Sequence, residues 1–263
     1  MKKFVITGDT HGMNISRVKG MELKEDEAVI ILGDAGFNFY LNKTDYKNKT
    51  KFNEMNIDVY CVRGNHEERP ENIGAIKVYD EEIKGEVWIE PEFPHIHYFI
   101  DGGTYEIEGQ SVLVLGGAYS VDKFYRLSHF APDAKWTGWF KDEQLTKEER
   151  EDILNKVAGA HFDIILSHTC PVDWEPTDLF LNSINQSKVD KTMELWLQDI
   201  KESVDWGIWL FGHFHADRLV RPGAEMYYTD SEHLSNIIKR WMQYKSDGSL
   251  DWWLVKDSMF YAT

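Results

Sequence analysis

Phe4-Val5-Ile6-Thr7-Gly8-Asp9-Thr10-His11-Gly12 decides how this chain is read. A short, bulky apolar run ends on glycine, and the first polar groups beyond it are a carboxylate and an imidazole. The same arrangement recurs four times. Ala28 to Leu32 leads to Gly33-Asp34, and Val59 to Arg63 leads to Gly64-Asn65-His66-Glu67. Ile164 to Leu166 leads to Ser167-His168, and Ile208 to Phe211 leads to Gly212-His213-Phe214-His215. Runs this short and this rich in β-branched residues predict buried strands. Each delivers a metal-type ligand at its C-terminal end, the edge where open α/β sheets bind ligands.

Helical patterns fall between the strands. They are predicted at Thr44–Met55, at Thr146–Val157, at Asp190–Val204 and at Ser231–Tyr244. Thr146 and Glu149 match a capping box, and Ile153, Leu154 and Val157 form a stripe. Met193, Leu195, Trp196, Leu197 and Ile200 form the stripe of the third helix. Residues 98–103 and Ser111–Leu115 read as paired strands of a second sheet, and Leu250–Tyr261 as a closing hairpin. With no repeat, low-complexity tract or linker, residues 1–263 are expected to form one domain. A loop insertion around 117–140 and a C-terminal helix/hairpin extension around 230–263 elaborate it.

Lys plus Arg is 29 against 45 Asp plus Glu, a net charge of −16. Such a surface repels polyanions, which argues against long nucleic acid. Two bound divalent cations would offset about four charges locally and turn one cleft positive. Cys61 and Cys170 are too few for a disulfide framework. The apolar part of the N-terminal segment is too short for a signal peptide, and no stretch approaches the ~20 apolar residues of a membrane span. A cytoplasmic protein with no membrane partner is the expectation; the oligomeric state is not legible.

Hydrolysis of a phosphate ester is slow because two anions must meet. Two metals about 3.5–4 Å apart ionise a water and neutralise the attacking and leaving oxygens. Hard oxygen and imidazole ligands suit such ions, with one carboxylate able to bridge. Asp9, His11, Asp34, Asn65, His168, His213 and His215 supply that set. Each motif alone is weak, since a strand-end Asp or His often serves as a cap or turn residue. Five in this order, each after an apolar run, resemble the calcineurin-like metallophosphoesterase family, from residue 8 to residue 215.

The resemblance implies an α/β fold: a two-sheet β-sandwich flanked by helices, in four αββα layers. It implies that Asp9, His11 and His215 hold one metal, that Asn65, His168 and His213 hold the second, and that Asp34 bridges them. A metal-bridging hydroxide would then attack the phosphorus in line. His66 would contact the phosphate and act as general acid. Manganese is the first expectation for this mixed donor set, with iron, zinc, nickel or magnesium as alternatives. Gly8, Gly33, Gly64 and Gly212 would keep side chains from crowding the ions.

One departure from the protein phosphatase branch stands out. Asp34 is followed by Ala35-Gly36-Phe37-Asn38, with no acid there; Asn38 is the residue that could substitute. The expected substrate is therefore a small phosphorylated molecule, a mono- or diester, rather than a phosphoprotein. Two segments are candidates to select it. In residues 116–126, Lys123 and Arg126 could meet phosphate, or simply pair with nearby acids, and Tyr119 could stack on a base. Residues 170–188 form a long loop with Pro171, Trp174 and Pro176, suited to a lid. Trp136, Trp139 and Phe140 read as anchors, and His95, His97, His129, His161 and His233 as packing or surface residues. Two further readings stay open: a nuclease or nucleic-acid end phosphatase with the same metals, and a catalytically inactive binding scaffold.

Overall fold

The computed structural model describes residues 2–130 and 136–247. The chain begins β1 (Lys3–Thr7), α1 (Asn14–Gly20), β2 (Glu27–Ile31), α2 (Lys43–Asn53) and β3 (Val59–Cys61). Five strands follow: β4 (Ile76–Asp80), β5 (Gly85–Ile89), β6 (Ile96–Phe99), β7 (Gly103–Ile107) and β8 (Gln110–Leu115). Then come α3 (Lys123–Ser128), α4 (Lys147–Val157), β9 (His161–Ser167), α5 (Thr192–Ser203) and β10 (Asp205–Phe211). β11 (Arg218–Arg221), β12 (Ala224–Met226), β13 (Ser231–His233) and α6 (Leu234–Asp247) complete it.

The strands form two mixed sheets, ordered β13-β1-β2-β3-β6-β5-β4 and β11-β12-β10-β9-β8-β7. Side-chain alternation along each strand explains why they stack. Phe4, Ile6, Ala28 and Ile30 of the first sheet share one core with Val112, Val114, Ile164, Leu166, Ile208 and Leu210 of the second. The alternate residues Val29, Ile31, Val59 and Cys61 face outward onto Val18 of α1 and Phe52 of α2. On the other side, Leu113, Ile165, Trp209 and Phe211 pack against Ile153 and Val157 of α4 and Met193, Trp196 and Ile200 of α5. Strands buried on both faces are near-continuous hydrophobic runs, which is how these were recognisable. The result is an α/β sandwich of two sheets between helices.

The helix expectations hold for α2 and α4 within a residue or two. At α4 both capping-box bonds form, Glu149 N–H to Thr146 Oγ1 at 3.2 Å and Thr146 N–H to Glu149 Oε2 at 2.7 Å. Three readings need correction. Tyr98 and Phe99 end β6, which lies in the first sheet between β3 and β5 and does not pair with residues 111–115. Its Phe99 points into the inter-sheet core and its Ile96 and Tyr98 into the α1–α2 layer, as befits an interior strand. β8 pairs instead with β7, across the turn at Glu108-Gly109, and on its other side with β9. Ser231–His233 is not helical but pairs with β1, so α6 starts at Leu234. In α5, Leu195 is 56% exposed whereas Glu194 is buried, the reverse of their hydropathy. The predicted hairpin at 250–261 lies outside the described residues.

Both cysteines are buried and unpaired. Among the described residues no helix is long and apolar enough to cross a membrane.

Candidate metal centre

All seven expected ligands gather where β1, β2, β3, β9 and β10 end. These strands run parallel within each sheet, so their C-terminal ends share one edge. The backbone there is unusual. His11, Asp34, His213 and His215 have φ of 44°, 48°, 71° and 53°. Non-glycine residues seldom adopt positive φ, and clusters of them mark sites where side-chain aim outweighs backbone comfort.

The geometry can be followed from atom to atom. Asp9 is fully buried, and its Oδ2 makes no hydrogen bond. His215 Nε2 lies 3.4 Å from that oxygen and His11 Nε2 3.9 Å from it. The two imidazole nitrogens face each other at 2.8 Å. Asp34 Oδ2 sits 4.0 Å from His11 Nδ1 and 3.7 Å from His168 Nε2, between the two halves of the cluster. Asp34 Oδ1 accepts the His66 backbone N–H at 2.8 Å, and Asp9 Oδ1 accepts that of His213 at 3.0 Å.

His168 tests whether the site fits a cation. Its Nδ1 stands 2.8 Å from the Leu32 carbonyl, which can only accept, so Nδ1 carries the proton. In the neutral ring Nε2 is then a lone pair, and it faces Asn65 Oδ1 at 2.8 Å. Asn65 is turned that way by its Nδ2, which donates to Ser120 Oγ at 2.9 Å; Ser120 in turn donates to Glu143. Two buried acceptors thus meet at hydrogen-bond distance, an arrangement a metal ion would satisfy. A backbone carbonyl fixing a histidine tautomer is the usual support for a metal ligand. Asp9, His11 and His215 form one group compact enough to ligate an ion, and Asp9, Asp34 and His168 another.

Electrostatics agree. Burial opposes charge on Asp34, yet His168, His66 and His11 around it hold its carboxyl far below the ordinary range. Burial, with His168 beside it, pushes His213 down to about 3, leaving a neutral imidazole free to ligate. Asp9 raises His215, and burial lowers His66. Glu67 is pushed up to about 8 by burial and by nearby Asp34; its Oε1 accepts the Gly64 N–H at 2.8 Å.

The glycines are sterically required. A Cβ on Gly33 would lie 1.9 Å from His168 Nδ1, one on Gly64 2.0 Å from Asp34 Oδ1, and one on Gly212 2.4 Å from Asp9 Oδ1.

A cavity of about 340 Å³ opens beside the cluster, lined on that side by Asp34, Asn65, His66, His213 and His215. Tyr119 lines it, as does Asp122. Lys123 and Arg126 do not, because both are engaged elsewhere. Lys123 Nζ sits 4.2 Å over the Trp139 ring. Arg126 Nε donates to Asp122 Oδ2 at 2.7 Å and its Nη1 to the Gly138 carbonyl at 2.9 Å. Asn38 does not stand in for the absent acid. It accepts from Lys49 at 2.9 Å, which Glu90 also holds. Of the acids on the cavity wall, Asp34 acts on His66 most strongly and Asp122 adds to it, both opposing the effect of burial. Trp136 anchors its loop by donating to the Phe39 carbonyl at 2.6 Å. The remaining histidines pack or pair at the surface: His97 stacks on Tyr60, His95 meets Asp58, and His161 meets Asp205.

Sequence reasoning missed Ser120, Glu143 and Glu194. Glu194 follows the apolar Met193 within a helical stripe, and only the register of α5 shows it turned inward. The residue 170–188 loop was singled out by its length, and Glu175, Leu179, Phe180, Leu181, Ile184 and Gln186 of it do wall the cavity.

No curated protein matches. A 5'-nucleotidase from Candida albicans SC5314 aligns in structure at 13% identity, covering 97% of this chain and 54% of that one, with a TM-score of 0.35. The chain thus spans about half the length of that protein. The sequence profile of the calcineurin-like phosphoesterases matches residues 2–217, and the chain belongs to that family of metal-dependent phosphoester hydrolases.

Proposed function

We propose that the protein hydrolyses a small phosphorylated molecule with two divalent ions. Asp9, His11 and His215 hold one ion, Asn65, His168 and His213 hold the other, and Asp34 is shared. The observation that carries this is the pair of buried acceptors, His168 Nε2 and Asn65 Oδ1, facing each other at 2.8 Å. When bound, the ions supply an ionised water at neutral pH and charge to offset the phosphate oxygens.

The chain's own residues do the rest. The Leu32 carbonyl keeps the His168 proton on Nδ1, so Nε2 stays available. Ser120 and Glu143 keep the Asn65 amide from rotating its nitrogen toward the ions. His66 stands beside Asn65 on the cavity wall, with its buried Nδ1 unclaimed. It gives a proton to the departing oxygen as the P–O bond breaks. A small substrate is favoured over nucleic acid because, among the described residues, no lysine or arginine lines the cavity.

Metal-stripped protein should be inactive on a chromogenic phosphoester and regain turnover with manganese. His66→Ala should retain metal yet lose about 10²–10⁴-fold in kcat, most on esters with poor leaving groups. Asp34→Asn should lose metal. Turnover by a His66→Ala, Asp34→Asn double variant equal to that of the parent protein would sink the proposal.

A further inference from the structure

The cavity beside the metal cluster has two distinct chemistries. One is apolar: Tyr119, Phe180, Leu181, Ile184, Val189 and Phe214 form its walls. The other is acidic: Asp122, Glu175, Asp190 and Glu194 also line it, and no lysine or arginine does among the described residues.

These four acids are not equivalent. Glu175 is engaged by Lys191 at 2.5 Å, Asp122 by Arg126, and Asp190 by the Thr192 backbone N–H at 2.9 Å. Glu194 differs. It is only 5% exposed, and its Oε1 accepts from Thr169 Oγ1 at 2.8 Å. Its Oε2 is buried without any hydrogen bond; Asp122 Oδ1 is unbonded too, but the other oxygen of that carboxylate is held by Arg126. Leaving such an oxygen unpaired is costly, and a native fold keeps it where something pairs with it in use. A helix that turns Glu194 inward and Leu195 outward has also forgone an apolar contact. Burial, with Glu175 nearby, pushes the Glu194 carboxyl up to about 7, so a cation arriving beside it would stabilise its charged form.

We infer that this cavity receives the leaving group of the phosphoester, and that the group is an apolar alcohol or phenol carrying an ammonium that pairs with Glu194. The inference rests on the phosphoesterase reading above. It disfavours leaving groups that carry a second phosphate or a carboxylate, which would meet the unbonded Glu194 oxygen with no lysine or arginine among the described lining residues to offset it.

The test uses three para-substituted aryl phosphates: 4-(aminomethyl)phenyl, 4-methylphenyl and 4-(carboxymethyl)phenyl phosphate. Turnover is measured on the manganese-loaded full chain. Binding of the three corresponding phenols is measured in parallel by calorimetry. The expected order of kcat/KM and of phenol affinity is ammonium, then methyl, then carboxylate. The ammonium advantage over methyl should be about tenfold or more, the yield of one charge-assisted hydrogen bond. In Glu194→Gln, which keeps an acceptor for Thr169, that ratio should fall toward one. A ratio taken within one variant does not depend on how much of it folds. A methyl or carboxylate ester that equals the ammonium ester overturns the inference, as does an ammonium preference that survives in Glu194→Gln. If none of the esters turns over, the phosphoesterase reading fails, and the order of phenol affinities still decides what the cavity binds.

Discussion

At the scale of single residues, the site depends on atoms that are absent as much as on those present. Gly33 has φ +98°, and a methyl group there would overlap the His168 ring at 1.9 Å. The ring would have to leave the Leu32 carbonyl that fixes its tautomer. Gly33→Ala should therefore weaken metal binding by at least the 10–100-fold typical of a lost supporting contact. Competition with a chelating dye measures this. Gly20→Ala is the control, since nothing lies within 4 Å of the added methyl. Equal metal affinity in the two variants would remove His168 from the ligand set. Residues of this kind were legible in the sequence because strand-end glycine followed by Asp, Asn or His is a local pattern. Ser120 and Glu143 were not, because they reach Asn65 from positions 55 and 78 residues away by chain number, through the fold alone.

At the scale of elements, two polar clusters fix how strands and helices meet. Arg240 of α6 is fully buried and donates to Glu232 at 2.7 Å and to Glu225 at 2.6 Å. Trp241 Nε1 and the Tyr227 hydroxyl also donate to Glu225. The cluster ties α6 to β12 and β13, and β13 in turn pairs with β1, whose end carries Asp9. Arg240→Ala leaves two carboxylates buried without their cation and should cost about 3–5 kcal/mol in denaturant titration. The second cluster centres on Asp58, before β3. Burial alone would raise its carboxyl, but His97, Lys2 and His95 outweigh that and hold it well below the usual range. A carboxylate depressed in the folded state adds stability above its ordinary pKa of about 4 and loses it as pH falls. Asp58→Asn should thus destabilise at pH 7 by about 1–3 kcal/mol, and the gap should close toward pH 2. A gap independent of pH would mean that Asp58 acts by packing. The strand-to-sheet assignment was less legible at this scale. Both β6 and β8 are apolar and short, and only which face each residue covers tells which sheet owns the strand.

For the whole molecule, the consequence of this topology is that each proposed ion joins the two sheets. Asp9 and His11 follow β1 of the first sheet while His215 follows β10 of the second; Asn65 follows β3 while His168 and His213 follow β9 and β10. The ions would act as ties across the edge of the sandwich, where Asp9 and Asp34 otherwise hold charge in a buried site. Ions that bind the folded chain and not the unfolded one stabilise it by mass action, about 2.7 kcal/mol for each site at a hundredfold excess over Kd. For a chain of this size one kcal/mol moves Tm by about 2–4 °C. Chelation should therefore lower Tm by roughly 5–10 °C for each ion lost, and manganese should restore it. An Asp9→Asn, Asp34→Asn variant should show little response to either treatment, because its site no longer holds the ions. Its Tm should lie at or above that of the chelated parent protein, since the buried charges have gone. A parent protein whose Tm ignores chelator while its activity vanishes would show that the ions serve chemistry alone, and that packing between the sheets suffices to hold the edge together.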